Sequence, residues 1–221
     1  KHANCGEGGV ALTSDPSLRD RLAMLRNHGE VHDGLSASHP LVGWNWRLTE
    51  LQAAIALEQT RKLGRLVNRR RTLARRLSEL LSAFPWISVP REMQGCEHSY
   101  YDYPMQFDLG QMGLTKQELI AITAAENLPI SESYRPIYWQ RLYQEKTVGP
   151  SSGFPFLQSL SPKNADNYQV GSCPCAESLF NERCLTFEIC SYEVGENDLL
   201  DMVRMFTRIE EHCGGGRQQH G

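Results

Sequence analysis

The sequence predicts an α/β chain whose C-terminal part is a smaller α+β domain. Three observations lead there: a glycine turn running into a short apolar stretch and a capped helix, one very long amphipathic helix between Thr49 and Pro85, and alternating strand-like and helical segments after it. The 221 residues suit one large or two small domains at roughly 100 to 200 residues each.

Gly6-Glu7-Gly8-Gly9-Val10-Ala11-Leu12-Thr13 reads as a turn feeding a strand. Asp15 and Pro16 then supply an N-cap and a first-turn proline, and Leu18, Leu22 and Leu25 recur at helical spacing up to Gly29, which predicts a helix over 16–28. Glu30 to Gly43 mixes glycine, proline, serine and histidine without a period and predicts a surface loop. Thr49, with Gln52 three residues on, opens the strongest periodic signal in the chain. Leu51, Ile55, Leu63, Leu66, Leu73, Leu77 and Leu81 predict a single helix up to Pro85, with Gly64 as the place for a bend. Its length predicts a passage from one domain into the next, so the expected division is 1–84, 85–213 and a tail, 214–221, that has nothing to pack.

Beyond Pro85 the aromatic and β-branched runs at 86–90 and 99–108 predict strands. Thr115 and Glu118 form a capping box that opens a helix over 115–127. A loop rich in Gly, Pro and Ser at 147–162 precedes a short helix near 174–181, a strand over 185–190 and a final helix over 196–212.

Composition excludes several classes. Hydrophobic residues make up 40% and charged residues 22%, as in soluble globular chains. A net charge of −3 gives no global attraction to nucleic acid or an anionic membrane. The arginines between Arg61 and Arg76 interleave with leucines, so they predict a solvated helix face rather than a nucleic-acid site. No apolar run approaches the 18 or so residues of a membrane span, and no basic-then-apolar leader opens the chain, so a cytoplasmic protein without a signal peptide is expected. Seven irregularly spaced cysteines do not suit a disulfide framework and predict reduced thiols. Cys173-Pro174-Cys175 lacks zinc-site spacing, and His28, His32 and His39 have no companion ligand at a defined interval, so no metal site is expected. The glycine turn lacks the Gly-Lys-Ser/Thr of a nucleotide-binding P-loop.

Four residues separate Lys1 from Gly6-Glu7-Gly8-Gly9; Arg26-Asn27-His28-Gly29 follows, and then Asn45-Trp46-Arg47-Leu48-Thr49-Glu50-Leu51-Gln52-Ala53-Ala54. In that order and spacing the chain resembles the DegT/DnrJ/StrS-type aminotransferases, which use pyridoxal phosphate to aminate keto-sugars and related compounds. The resemblance implies an aspartate-aminotransferase-type fold, of which this chain supplies the end of the large α/β domain, the linking helix and the small α+β domain. The upstream half would then be absent, with Lys1 as the point of truncation. It further implies Lys1 as the Schiff-base lysine and Asn45, with Arg47 close by, as donor to the phosphate of the neighbouring subunit's cofactor, hence a homodimer with shared sites. The implied reaction carries an amino group from glutamate or glutamine to a nucleotide-linked keto-sugar or a keto-cyclitol.

Chemistry supports such an assignment independently of the resemblance. A lysine whose ammonium form is disfavoured is a nucleophile toward an aldehyde and can move a proton at the substrate carbon. Glycines let backbone pass where a Cβ would clash. The C-terminal part departs from the family pattern. Ser133-Tyr134-Arg135-Pro136-Ile137-Tyr138 stands where the family has an aromatic-Pro-x-Leu-His stretch, which implies Tyr134 and Tyr138 as substrate contacts at the mouth of the site. There Tyr138 replaces a histidine with a phenol that is no cation near neutral pH, which weakens recognition of a phosphate and makes a neutral keto-cyclitol a serious competitor to the nucleotide-linked keto-sugar. Two alternatives remain open: a non-catalytic dimerisation or regulatory module built on the long helix, and a sugar dehydratase of the same family. The dehydratases carry histidine in place of the lysine, so Lys1 argues against that reading despite the adjacent His2.

Overall fold

The structure, a computed structural model, describes residues 1–32, 34, 36–145, 168–190 and 193–213. The predicted loop at 147–162 and the predicted tail at 214–221 lie outside the described residues. The chain divides into two units, Lys1–Val67 and Asn68–Gly221, with the division inside the long helix.

The first unit contains α1 (Pro16–Arg26), a two-residue antiparallel ladder of β1 (Val31–His32) and β2 (Ala37–Ser38), and the first half of α2 (Glu50–Leu81). Asp15 caps α1 as its position predicts, its carboxylate accepting from the Ser17 and Leu18 amides at 2.8 and 3.3 Å. The helix stops at Arg26 rather than at 28, because Asn27 leaves helical geometry to bridge Asn45. At the head of α2 the Thr49 hydroxyl accepts from the Gln52 amide at 3.3 Å while the Gln52 side chain accepts from Thr49. The helix then runs without interruption through Gly64.

Two expectations for this unit are corrected. Gly6–Thr13 forms no strand: Val10 and Leu12 are 84% and 91% exposed, and no described strand lies alongside them. A strand needs a ladder partner for its N–H and C=O groups, and pattern alone cannot supply one. The segment from Glu30 to Gly43 carries the β1–β2 ladder, which is too short for any period to register in the sequence.

The second unit is a four-stranded antiparallel sheet with helices. Strands β3 (Ile87–Ser88), β4 (Tyr103–Phe107), β5 (Ile130–Glu132) and β6 (Cys184–Phe187) are ordered β3-β4-β6-β5. Along β4, Tyr103, Met105 and Phe107 are buried while Pro104 and Gln106 are exposed, the period-2 signature of a sheet with one face on the core. Helix α3 (Lys116–Ala125) opens with the predicted Thr115–Glu118 capping box. After it come the short α4 (Arg141–Gln144) and α5 (Pro174–Ser178), then α6 (Glu196–Cys213). The second half of α2 contributes Ala74, Leu77 and Leu81 to the core, α6 contributes Leu199, Met202, Met205, Phe206 and Ile209, and β6 contributes Leu185 and Phe187.

Aromatic rings knit this core: Phe206 meets Trp86 edge-on at 5.6 Å, Phe84 at 5.9 Å and Phe107 at 5.8 Å between centroids. Phe206→Ala is therefore expected to destabilise this unit by about 3–5 kcal/mol in a denaturant titration followed by tryptophan fluorescence.

Arg61, Arg65, Arg69, Arg75 and Arg76 of α2 are exposed, as a solvated face predicts, and several of the arginines also make bonds to distant segments. Arg70 donates to the Cys190 carbonyl at 3.0 Å, Arg69 to that of Val194 at 3.1 Å and Arg71 to that of His98 at 2.9 Å, while Arg76 pairs with Glu196 at 2.9 Å. Three of these bonds go to backbone carbonyls in loops between the described elements. No helix among the described residues is long and apolar enough to cross a membrane.

Candidate active site

The first unit brings the three sequence motifs together. The Gln52 side chain donates to the Glu7 carbonyl at 3.1 Å and so fastens the glycine turn to the head of α2. Gly6 takes φ +84°, and a Cβ on Gly8 would lie 3.2 Å from both Cys5 Sγ and Leu48 Cδ1, so the turn admits little but glycine at these points. Three backbone bonds lace the second motif to the third: His28 N–H to the Trp44 carbonyl, Trp44 N–H to that of Leu25 and Trp46 N–H to that of Arg26, each at 2.9 Å. Gly29 and Gly43 cross so closely that a Cβ on Gly29 would stand 1.9 Å from the Leu41 oxygen.

Lys1, Asn45 and Arg47 are all exposed. Arg47 donates to Asn27 Oδ1 at 2.6 Å, and Asn27 in turn donates to Glu30 at 3.0 Å, which fixes the guanidinium's approach before any ligand arrives. An amine is what an aldehyde needs, and an amide and a guanidinium are donors that a phosphate takes, so these residue types fit pyridoxal phosphate. Asn27 and Gln52, which hold Arg47 and the glycine turn respectively, lie inside the motifs, yet only the fold reveals what they bind.

Tyr134 and Tyr138 belong to the second unit and differ sharply there. Tyr134 is 75% exposed, with its hydroxyl 3.0 Å from that of Tyr101. Tyr138, expected at a substrate mouth, is 8% exposed and donates a short hydrogen bond to Glu177. Glu177 also accepts from the Gly171 amide at 2.6 Å. Tyr138 thus latches α5 to the segment after β5, a contact 39 residues long in sequence with no local signal.

Charge and burial act together on that pair. Burial first, and then the Glu177 carboxylate, push the Tyr138 phenol up to about 12, while the phenol's hydrogen bond is the main cause holding Glu177 below its ordinary value. Because Glu177 is depressed, its contribution is complete above the ordinary carboxylate pKa of 4.5 and is lost as pH falls through the lowered native value. Because Tyr138 is raised, its contribution is complete below 10.0 and is lost as pH rises toward about 12. Tyr138→Phe is expected to return the Glu177 carboxyl toward its ordinary titration, as read by carbon NMR of the labelled side chain, and to remove the alkaline loss.

Beside Tyr134 the sheet's outer side carries a cleft of about 350 Å³, whose lining includes Asp102, Ser131, Glu132, Arg135, Thr186 and Glu188. Sequence reasoning singled out only Tyr134 among the lining residues, since the cleft joins β5, β6 and the segment before β4, which are distant in the chain. No group of histidine, cysteine and carboxylate side chains that could hold a metal occurs among the described residues. His39 Nδ1 instead lies 3.2 Å from the His28 carbonyl, and His32 lies 3.2 Å from Glu30.

The fold of the chain is that of the pyridoxal-phosphate-dependent aminotransferases. The family model described as DegT/DnrJ/EryC1/StrS aminotransferase family matches residues 1–185, and the chain belongs to that family. Among solved structures it is similar to the sugar aminotransferase CalS13 from Micromonospora echinospora, with a TM-score of 0.70 and 16% identity over 94% of this chain and 49% of that one. A DegT DnrJ EryC1 StrS aminotransferase from Brucella abortus gives a TM-score of 0.66 and 24% identity over 92% and 45% respectively. PseC of Helicobacter pylori, an aminotransferase involved in the biosynthesis of pseudoaminic acid, gives 0.65 and 18% over 90% and 48%. The chain therefore spans just under half the length of each, and at these identities the likeness is one of fold.

Proposed function

We propose that the chain supplies the cofactor lysine and phosphate donors of a cytoplasmic aminotransferase that moves an amino group from glutamate or glutamine to a ketone on a polyhydroxylated ring, a keto-sugar or a keto-cyclitol. The observation that supports this reading is the junction of the glycine turn, the Arg26–Gly29 turn and the head of α2, in which Asn45 bridges Asn27 and Arg47 donates to the Asn27 side chain. Pyridoxal phosphate, when bound, supplies the electron sink that lets an amino group leave one carbon and join another. Lys1 supplies the amine that binds the aldehyde and afterwards holds and moves the proton at the substrate carbon. Asn45 and Arg47 bind phosphate oxygens, and the guanidinium fork suits them better than a lysine would.

In this reading residues 1–84 are the end of the large cofactor-binding domain and 85–213 the small domain, and two copies pair so that Asn45 serves the neighbouring subunit's site. The test is to add pyridoxal phosphate to the chain, reduce with borohydride and map the modified peptide. A visible absorption band and a single adduct on Lys1 are expected. Adducts on Lys62 or scattered over other lysines would overturn the assignment and leave the non-catalytic dimerisation module as the better reading.

A further inference from the structure

Four polar side chains of the first unit are bonded in series, and the series ends on Arg47. Arg47 Nη1 donates to Asn27 Oδ1 at 2.6 Å, Asn27 Nδ2 donates to Glu30 Oε2 at 3.0 Å, and the other carboxylate oxygen, Oε1, faces His32 Nε2 at 3.2 Å. The order follows from what each group can do. A guanidinium only donates and a carboxylate only accepts, whereas an amide does both and so can join them, its oxygen toward the arginine and its nitrogen toward the glutamate. Glu30 thereby settles which way the Asn27 amide faces. Without that acceptor the amide can turn over and present its NH2 to the guanidinium, which breaks the bond. A charged acceptor on Nδ2 also polarises the amide and strengthens Oδ1 as the acceptor for Arg47.

The backbone is bent to make this arrangement. His28 and Gly29 both take positive φ, +58° and +72°, and the Glu30 amide returns to the Asn27 carbonyl at 3.0 Å. A non-glycine residue such as His28 holds that conformation at a cost in free energy, and its surroundings must impose it. The turn brings the Glu30 carboxylate back beside the Asn27 side chain, and the β1–β2 ladder places His32, paired with Ala37, on the far side of that carboxylate. The Glu30 side chain is 22% exposed, while Arg47 is exposed, so the middle of the series is sheltered and the other N–H donors of the guanidinium open outward.

We propose that Glu30 is a positioning residue that acts through Asn27 to hold the Arg47 guanidinium for the phosphate of pyridoxal phosphate, with His32 as the outer anchor of the carboxylate. This rests on the reading of Arg47 as a phosphate donor given above. All four residues belong to the first unit.

The test is an equilibrium titration of the full chain with pyridoxal phosphate and, separately, with pyridoxal, which lacks the phosphate. Glu30→Ala is expected to weaken pyridoxal phosphate about 3–10-fold and to leave pyridoxal unchanged. Glu30→Gln, whose amide oxygen still accepts from Asn27, is expected to recover most of that loss. His32→Ala is expected to cost about 2-fold, as suits an exposed contact, and His32→Gln, which keeps a donor, less. Arg47→Ala is expected to remove the preference for the phosphorylated compound, and adding Glu30→Ala to it to do nothing more, because a residue acting through Arg47 has no effect once Arg47 is gone. A second readout needs no cofactor: in nitrogen NMR the Arg47 Nε–H signal is expected to move in Glu30→Ala to the position of an unrestrained arginine. Additive losses in the double variant, an equal loss for pyridoxal, or an unmoved Arg47 signal in Glu30→Ala would overturn the proposal. Wild-type affinity for pyridoxal phosphate in Arg47→Ala, or no preference for it in the unmodified chain, removes the phosphate-donor reading and this proposal with it, whatever the Arg47 signal does.

Discussion

Lys1→Ala is expected to abolish the borohydride-fixed adduct on this chain and to lower transamination by about 10³-fold or more. In the proposed reading the lysine has two tasks, as nucleophile toward the aldehyde and as carrier of the proton at the substrate carbon, and the other lysine of the first unit, Lys62, lies on α2, beyond Thr49. Lys1→Arg separates charge from chemistry, because a guanidinium keeps the positive charge but stays protonated at every working pH. Both variants are expected to be equally inactive. Asn45→Ala should behave differently, raising the cofactor concentration needed for half-saturation while leaving an adduct on Lys1 once saturated. Peptide mapping and a pyridoxal phosphate titration read the two effects separately, and an active Lys1→Arg protein would sink the assignment.

Gly29→Ala is expected to disrupt the motif junction at a cost of about 3 kcal/mol or more to the first unit. Gly29 has φ +72°, where a Cβ is strained in any surroundings, and the added carbon would sit 1.9 Å from the Leu41 oxygen and 2.9 Å from its carbonyl carbon. Both obstacles are backbone, so no rotamer change relieves them, and the chain at Leu41–Gly43 must move. That movement breaks the register in which His28, Trp44 and Trp46 exchange backbone bonds. Trp44 and Trp46 stack at 4.7 Å with their planes 5° apart, which makes near-ultraviolet circular dichroism a local reporter. The stacked-ring signal is expected to fade in Gly29→Ala while the fluorescence transition of the Trp86 core stays in place. Gly9→Ala provides the control, since a Cβ there meets nothing within 4 Å. An unchanged signal in Gly29→Ala would mean that the junction tolerates a shift of the Leu41 backbone.

The sequence was most informative where the physics is local. The Asp15 cap, the Thr49–Gln52 and Thr115–Glu118 boxes and the period of α2 each involve groups within a few residues of one another, and all are present in the structure. The ordered motifs likewise carried the family, since their spacing survives in one dimension. The strand expected after the glycine turn failed because a ladder needs a partner, and none lies beside Val10 and Leu12 among the described residues. The bond of Tyr138 to Glu177 was not legible because it spans 39 residues, nor were the bonds of the α2 arginines, four of whose acceptors lie 120 to 125 residues away.

What the sequence determined by itself, then, is the long helices, their caps and the ordered motifs that carry the family. Only the tertiary structure decided that Asn27 aims Arg47, that Glu30 holds Asn27 in turn, and that Gln52 ties down the glycine turn. The physical reason is range. Caps and periodicity are set by neighbours three or four residues apart, whereas the orientation of a guanidinium is set by groups that only the folded chain brings within hydrogen-bonding distance.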